Sequence, residues 1–259
     1  MAIRKLHFDI ETYSSIDIKS SGAYKYVESV DFEILLLAYA FNEDPIKIID
    51  LAQGEEIPEE FIEGLEDPNT IKCAHNATFE RNALKQYGWD IPIDQWFCSA
   101  VKAAYCGLPL SLSKALGLEE KGKLATGKKL IRYFCIPCKP TKTNGMRMRN
   151  FPKHDLEQWE EFKLYCINDV EAEREIVKRL SKYEIHPFEL QNYIIDQEIN
   201  DRGVLIDEVF VNNAVSIDNK YEKKIVNRTI ELTGVENPNS PAQLRTWLSD
   251  ALGEDVKSL

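Results

Sequence analysis

LHFDIETYS, residues 6–14, is the stretch from which the fold and the chemistry of this chain can be worked out. Its apolar and polar residues alternate as on a β-strand, which puts Asp9 and Glu11 on the same face. Phe8 and Ile10 point to the opposite face. Two neighbouring carboxylates repel each other and are costly to desolvate, so folding alone does not explain them. They indicate either a solvated strand end or a site for a hard cation such as Mg²⁺ or Mn²⁺.

The order of strand and helix patterns favours an α/β fold, a mixed β-sheet flanked by helices. After the first strand, the sequence predicts strands at 32–41, 47–51 and 70–75. Helical patterns cover residues 58–65, 78–87, 99–106, 112–116, 127–135 and 155–183. Asn76 is expected to cap the helix that begins at Thr78.

The character of the chain changes after residue 186. Helices are predicted at 188–201, 208–232 and 242–252, with a short strand at 204–206. This part has little aromatic content after Tyr193 and no obvious core of its own. The sequence therefore predicts two units, a mixed-sheet domain over 1–186 and a mostly helical extension over 187–259.

Composition excludes some classes of protein. The chain has 259 residues, of which 44% are hydrophobic and 29% charged, as in ordinary globular proteins. No apolar run approaches the roughly 20 residues that span a membrane, and no signal-peptide pattern begins the chain, so we expect a cytoplasmic protein. The six cysteines are scattered and expected to be reduced. A zinc site at Cys135 and Cys138 lacks a second ligand pair nearby.

The charge of this acidic chain is distributed unevenly. The net charge is −11, yet residues 121–153 contain ten basic and no acidic residues, so the remainder carries −11 − 10 = −21. Such a segment is either a solvated basic loop or a surface for phosphate contacts. Residues 137–152, rich in Pro, Gly, Asn and Lys, are predicted to form an irregular loop at the rim of a site. Its candidate phosphate contacts are Lys139, Lys142, Arg147 and Arg149.

Further acidic positions could join Asp9 and Glu11 in one site. Glu80 falls in the first turn of the helix that follows a buried strand, so its carboxylate is expected near the end of the sheet. Tyr165 and Asp169 are four residues apart, and therefore share one face of their helix. Taken singly, each has an ordinary structural explanation. Together they match the converging carboxylates that a pair of metal ions requires.

Three short motifs, DIE at 9–11, NATFE at 76–80 and YCIND at 165–169, resemble the exonuclease motifs of the DEDD superfamily in its tyrosine-bearing branch. More closely, the chain resembles the proofreading exonuclease region of phage-type family A DNA polymerases. Residues 196–207, DQEINDRGVLID, and 237–248, NPNSPAQLRTWL, resemble segments that follow the exonuclease domain in those enzymes. The resemblance implies an RNase H-like fold and places 187–259 at the start of the polymerase region.

The resemblance implies a 3′→5′ exonuclease that uses two Mg²⁺ or Mn²⁺ ions to remove nucleotides from single-stranded DNA or a frayed primer 3′ end. Its implied partner is the polymerase domain of the same protein, in the cytoplasm of a phage-infected bacterium. By position in the motifs, the implied metal ligands are Asp9, Glu11, Glu80 and Asp169, with Glu80 acting through water. Tyr165 would orient the attacking water, and Thr12, Asn76 and Phe79 match positions near the terminal nucleotide.

Two departures from the family pattern leave alternatives open. The second motif usually has Asp where this chain has Glu80, and no polymerase catalytic motif is present, so polymerisation by this chain is not expected. The alternatives are an RNase D-like exoribonuclease, since nothing in the motifs recognises a 2′-hydroxyl, and a non-catalytic module that binds single-stranded DNA or scaffolds a polymerase.

Overall fold

The structure is a computed structural model that describes residues 3–117, 123–253 and 256, with 123–126 described by their backbone alone. The chain divides into two compact units, residues 1–198 and 199–259. Residues 187–198 therefore belong with the first unit, although the sequence predicted a boundary at 186. The assignment of the two units to an exonuclease domain and a polymerase region stays a prediction.

The first unit is built on a mixed five-stranded sheet. The strands are β1 (Arg4–Tyr13), β2 (Glu33–Phe41), β3 (Lys47–Asp50), β4 (Thr70–Ala74) and β5 (Trp96–Cys98), in the order β3-β2-β1-β4-β5. β2 runs antiparallel to β1 and β3, whereas β4 is parallel to β1 and β5. Helices flank the sheet, and the RNase H-like α/β fold predicted from the sequence is confirmed.

The helices connect the strands and then continue beyond the sheet. In the first unit they are α1 (Ile18–Val27), α2 (Glu59–Glu66), α3 (Thr78–Gln86), α4 (Ser99–Tyr105), α5 (Leu112–Ala115), α6 (Lys123–Phe134) and α7 (Leu156–Arg179). α8 (Pro187–Arg202) crosses the boundary between the units, and α9 (Glu208–Thr233) and α10 (Pro241–Leu252) follow. α7 begins directly after Asp155, close to the start predicted from the sequence. Asp155 caps this helix, because its side chain accepts a hydrogen bond from the backbone N–H of Gln158 at 3.1 Å.

Each face of β1 belongs to a different core. Leu6, Phe8 and Ile10 are buried with residues of β2, α2 and α3. On the opposite face, Leu36 and Ala38 of β2, which pair with Glu11 and Asp9 of β1, are buried against residues of α6 and α7. The polar face of β1 therefore lies beneath α7. This burial makes the solvated strand end wrong as an explanation of the two carboxylates.

Two local predictions are wrong, and one strand was missed. The sequence pattern missed β5, which has only three residues and is recognisable by its pairing with β4. Asn76 does not cap α3, because its backbone is left-handed (φ 72°) and Ala77 is the residue at the cap. Residues 204–206 form no strand and have exposed side chains. Their β-branched and apolar composition favours a strand only where a partner strand is available.

The second unit contains the end of α8 and helices α9 and α10. Ser240 caps α10 by accepting from the backbone N–H of Gln243 at 3.4 Å, and Pro241 occupies the first turn. The Gln243 side chain in turn accepts from the backbone N–H of Asn237 at 2.9 Å. The NSPAQ segment thus has a local role in starting a helix. None of the described helices combines the length and the apolarity that crossing a bilayer requires.

Candidate metal centre

The two carboxylates of β1 lie on the central strand of the sheet. Asp9 is half-buried, and Glu11 is 8% exposed. The pairing of β1 with β2 shifts between Glu11 and Thr12, a bulge-like irregularity that bends the strand directly after the second carboxylate. Both acids are paired with β2 on one side, whereas the pairing of β1 with β4 ends at His7, before the first of the two carboxylates.

Helix α7 completes a group of three carboxylates. Cys166 and Val170 of α7 are fully buried and lie in the same core as Leu36 and Ala38 of β2. This packing directs Asp169 toward β1, so that one ligand oxygen from each of Asp9, Glu11 and Asp169 lies within 4.8 Å of the others. The structure thus brings together three of the four predicted metal ligands.

Tyr165 is fixed by a stack of aromatic rings. Its ring is nearly parallel to that of Phe162, with centroids 6.2 Å apart, and Phe162 is nearly parallel to Phe134 at 5.5 Å. The Tyr165 side chain lies close enough to the Asp169 carboxylate for each group to shift the pKa of the other. Burial, and then the charge of Asp169, raise the pKa of Tyr165 above its usual value. The hydroxyl therefore stays protonated at neutral pH and can hydrogen-bond a water without acting as a base.

The electrostatics of the carboxylates fit a divalent cation. Burial raises the pKa of Asp9 well above its usual range, and the charges of Asp169, Glu11 and Glu80 raise it further. Burial and the charges of Asp169 and Glu80 do the same to Glu11, and burial raises the pKa of Asp169 to about 6. The charged neighbours that raise the pKa of Asp9 are all acidic, so a cation would offset both burial and repulsion.

Glu80 lies at the periphery of this group. It is buried in the first turn of α3 and raises the pKa of Asp9 and Glu11, but it is not among the three residues whose ligand atoms converge. Its Oε2 is buried and has no hydrogen-bond partner in the described part of the chain. Burial raises the pKa of Glu80 to about 8. The contact of Glu80 with a metal through water stays a prediction.

Sequence reasoning missed Gly127, which α6 places against Tyr165. A Cβ atom at this position would lie 2.4 Å from Cε2 and 2.9 Å from Cδ2 of the Tyr165 ring. Such distances are too short for any side chain, so glycine allows α6 to approach α7 here. The sequence pattern placed Gly127 at the start of the predicted helix 127–135, so it gave no signal of a close approach inside a helix.

We expect Gly127→Ala to displace the Tyr165 ring, because the added methyl group would overlap it. A displacement of this size would slow any hydrolysis that depends on Tyr165 roughly 10- to 100-fold. The control is the double variant Gly127→Ala/Tyr165→Phe. If Gly127 acts through Tyr165, the two effects will not add; additive effects in this cycle would contradict the assignment.

Sequence reasoning also missed two thiols beside the carboxylates. Cys166 Sγ lies 3.7 Å from Asp9 Oδ2, and Cys135 Sγ lies 3.9 Å from Glu11 Oε2. Both cysteines are buried. No group of potential metal ligands in the described part of the chain contains both Cys135 and Cys138, so the structure offers nothing in favour of a zinc site between them.

A buried polar pair lies further along the same face of β1. His7 Nδ1 is 2.6 Å from Glu173 Oε2, and the two side chains are 5% and 2% exposed. Glu173 lies one helical turn beyond Asp169, and its charge contributes to the raised pKa of Glu80. The pair therefore belongs to the surroundings of the carboxylates, although its residues are 166 positions apart in sequence.

The residues predicted to contact the substrate differ in their burial and in their contacts. The Thr12 hydroxyl is buried and 3.0 Å from the Tyr26 hydroxyl, and the half-buried Phe79 ring packs on Tyr26 at 5.9 Å between centroids. Tyr26 therefore joins the end of β1 to the start of α3. Asn76 is exposed in a left-handed turn just before α3. Their roles near a terminal nucleotide stay predictions.

The basic loop 137–152 is irregular in backbone but hydrogen-bonded internally. Arg147 donates to Asn150 Oδ1 at 2.7 Å and to the backbone carbonyl of Asn144 at 3.1 Å. Arg149 pairs with Glu33 at 2.5 Å, and its guanidinium lies 3.7 Å from the ring centroid of Tyr13. Both arginines thus support the conformation of the loop.

Two lysines of the loop, Lys139 and Lys142, are exposed. Of the other basic residues in the predicted segment, Lys121 lies outside the described residues and Lys123 is described by its backbone alone. The exposed lysines are therefore better candidates for phosphate contacts than Arg147 and Arg149, which already have partners within the protein.

Fold and site together define an RNase H-like α/β protein with buried carboxylates suited to a divalent cation. No protein-family description matches the chain. The chain is, however, 50% identical over 261 residues to a DNA polymerase of Bacillus phage SP02, an alignment that covers 99% of this chain. The chain is therefore homologous to part of a phage DNA polymerase, and it spans 40% of the length of that relative.

Two solved structures show more distant likeness. A nuclease solved in its apo form covers 75% of this chain and 80% of its own, with 13% identity and a TM-score of 0.42. The POL domain of Pol1 from M. smegmatis, in complex with DNA primer-template and dNTP, covers 93% of this chain and 36% of its own, with 16% identity and a TM-score of 0.46. With scores below 0.5, neither likeness contributes to the functional argument.

Proposed function

We propose that this chain is a metal-dependent 3′→5′ exonuclease that removes nucleotides from DNA 3′ ends and proofreads for a polymerase region of the same protein. The observation that carries the proposal is the convergence of Asp9, Glu11 and Asp169, with Tyr165 beside Asp169. Homology to a phage DNA polymerase favours DNA over RNA as the substrate and the cytoplasm of a bacterial host as the location.

The proposed cofactor is a pair of Mg²⁺ or Mn²⁺ ions. Two such ions, when bound, activate a water for attack on the phosphodiester and stabilise the leaving oxygen. In this assignment Asp9, Glu11 and Asp169 hold the ions, and Glu80 contributes through water. Carboxylates are the ligands that these hard ions prefer, and the raised pKa values show that this group lacks compensating positive charge.

The residues around the ions would place the substrate and the water. Tyr165, kept protonated by its raised pKa, lies beside Asp169 and can orient the attacking water through its oxygen. Thr12, Asn76 and Phe79 are proposed to contact the terminal nucleotide. The exposed Lys139 and Lys142 are proposed to contact the phosphates of the single strand.

The test is a 5′-labelled single-stranded DNA oligonucleotide and its RNA counterpart, each incubated with the protein in Mg²⁺, Mn²⁺ or EDTA. We expect a ladder that shortens from the 3′ end of DNA with either metal and is absent in EDTA. Faster shortening of RNA would favour the exoribonuclease. Binding that EDTA does not alter, with the oligonucleotide intact in every lane, would favour the non-catalytic module.

Tyr165→Phe is expected to lower the rate of hydrolysis roughly 10- to 100-fold without abolishing it, because a positioned water is lost while the carboxylates stay in place. The measurement is the single-turnover rate on the labelled DNA in Mg²⁺. Complete loss of hydrolysis in a folded variant would mean that Tyr165 does more than orient water, and an unchanged rate would remove it from the mechanism.

Replacing Lys139 and Lys142 together by Ala is expected to weaken binding of single-stranded DNA and reduce its dependence on salt. Two lost phosphate contacts would reduce the slope of log K against log salt by about 1.4. Fluorescence anisotropy at several salt concentrations measures this slope. The matched control replaces Lys178 and Lys182, which are exposed near the end of α7 and beyond it. An equal change in both variants would contradict a specific role for the loop.

A further inference from the structure

One tyrosine of α1, Tyr26, contacts residues that stand beside two of the acids. Its hydroxyl lies 3.0 Å from the Thr12 hydroxyl and donates to the Thr12 backbone carbonyl at 3.3 Å. Its ring packs against the ring of Phe79, with centroids 5.9 Å apart. Thr12 directly follows Glu11 in the sequence, and Phe79 directly precedes Glu80. Tyr26 therefore joins the neighbours of two acids that come from separate elements.

Packing restricts the Tyr26 side chain. Tyr26 is 6% exposed and lies in the core that buries Phe8 and Ile10 of β1. The ring of Phe32 packs edge-on against it, with centroids 5.8 Å apart. A close-packed core leaves a large aromatic side chain few alternative rotamers, so the hydroxyl keeps its position at the end of β1.

The two hydrogen bonds set the direction of the Thr12 hydroxyl. Burial raises the pKa of Tyr26, so its hydroxyl carries a proton at neutral pH. A phenol has one proton to donate, and the Thr12 backbone carbonyl accepts it, so the Thr12 hydroxyl donates to the Tyr26 oxygen. The Thr12 oxygen then keeps a lone pair that can accept a hydrogen bond from a substrate. Thr12 is 5% exposed, which limits access to a small group such as a hydroxyl at a strand end.

We propose that Tyr26 is a positioning residue that holds the Thr12 hydroxyl as a hydrogen-bond acceptor for the 3′-hydroxyl of the terminal nucleotide. A terminal 3′-hydroxyl is a donor, whereas inside a strand the same oxygen carries the next phosphate and has no proton. The arrangement would therefore distinguish the end of a strand from its interior. The inference rests on the proposed function, and it adds the residue that orients the terminal contact and the group that this contact recognises.

The test compares the unmodified chain with Tyr26→Phe on short single-stranded DNA that ends either in a 3′-hydroxyl or in a 2′,3′-dideoxynucleotide. Fluorescence anisotropy in EDTA measures binding. We expect the unmodified chain to prefer the hydroxyl end by roughly fivefold, the contribution of one hydrogen bond, and Tyr26→Phe to lose most of this preference. In Mg²⁺, Tyr26→Phe should raise KM and leave kcat nearly unchanged, because the 3′-hydroxyl is bound alike before and during the reaction.

Two further variants show whether Tyr26 acts through Thr12. Thr12→Val removes the acceptor itself and should lose the same preference, and adding Tyr26→Phe to it should change nothing more. The matched control is Tyr39→Phe. Tyr39 is a buried tyrosine of the same core, but its hydroxyl donates to Glu60 and its ring packs against Phe61. Tyr39→Phe should therefore keep the full preference for the hydroxyl end.

The outcomes separate this inference from the proposed function. A preference that Tyr26→Phe retains, or that Tyr39→Phe also loses, would overturn the inference even where hydrolysis in Mg²⁺ is normal. Equal binding of the two ends by the unmodified chain would overturn it as well. A preference that depends on Tyr26 and Thr12, in a protein that never hydrolyses DNA, would support the contact and contradict the exonuclease alone.

Discussion

Asp9→Ala should abolish hydrolysis of a 3′ end, lowering the rate by at least about 10³-fold, and leave the fold intact. Asp9 supplies one of the three converging ligand oxygens, and loss of a metal ligand removes several kcal/mol of transition-state stabilisation. The measurement is the single-turnover rate on labelled DNA in Mg²⁺, with Asp9→Asn as a variant of nearly equal size. Undiminished hydrolysis by either folded variant would rule out the two-metal assignment.

The same substitution should stabilise the protein in the absence of metal. The folded chain holds protons on Asp9, Glu11 and Asp169 more tightly than the unfolded chain does, since their pKa values are raised. The contribution of these three groups to the stability of the metal-free protein is therefore greatest below the usual carboxyl pKa of about 4 and falls as the pH rises through the raised values, about 6 for Asp169.

Thermal unfolding as a function of pH tests whether stability changes in this direction. In EDTA, the melting temperature of Asp9→Asn should exceed that of the unmodified chain at pH 7 and vary less between pH 4 and pH 7. Mn²⁺ should raise the melting temperature of the unmodified chain more than that of the variant. A destabilised variant with an unchanged response to Mn²⁺ would show that Asp9 is a structural residue.

Glu173→Ala should be among the most destabilising single changes near the site. The His7–Glu173 pair is almost completely buried at 2.6 Å, and removing one partner leaves the other without its hydrogen bond, at a cost of roughly 3–5 kcal/mol. Urea unfolding measures the change. The double variant His7→Leu/Glu173→Leu should lose less than the two single leucine variants together, because no unpaired polar group remains.

An exposed ion pair on α7 provides the control. Arg179 and Glu175 are 2.6 Å apart, but their side chains are 56% and 41% exposed, so Glu175→Ala should cost less than about 1 kcal/mol. Similar losses of unfolding free energy in Glu173→Ala and Glu175→Ala would mean that burial does not determine how much the His7–Glu173 pair contributes to stability. The pair would then have no special part in holding β1 against α7.

Proximity in sequence determined which parts of the fold and site could be predicted. The strand period of residues 6–14 placed Asp9 and Glu11 on one face, and four-residue spacing placed Tyr165 beside Asp169, as the structure shows. Long helices were predicted to within a few residues because their apolar stripes and caps are local signals. The three-residue β5 gave no such signal, since its pairing with β4 is a tertiary contact.

The sequence by itself therefore determined the mixed α/β fold, the strand that carries the acids and the elements that could bring further acids to it. Only the tertiary structure decided that Asp169 joins Asp9 and Glu11 while Glu80 stays at the periphery. Only it showed that Gly127 touches Tyr165 and that thiols border the acids. The physical reason is that these contacts join residues far apart in the chain, and their distances depend on how α3, α6 and α7 pack around the sheet rather than on any local periodicity.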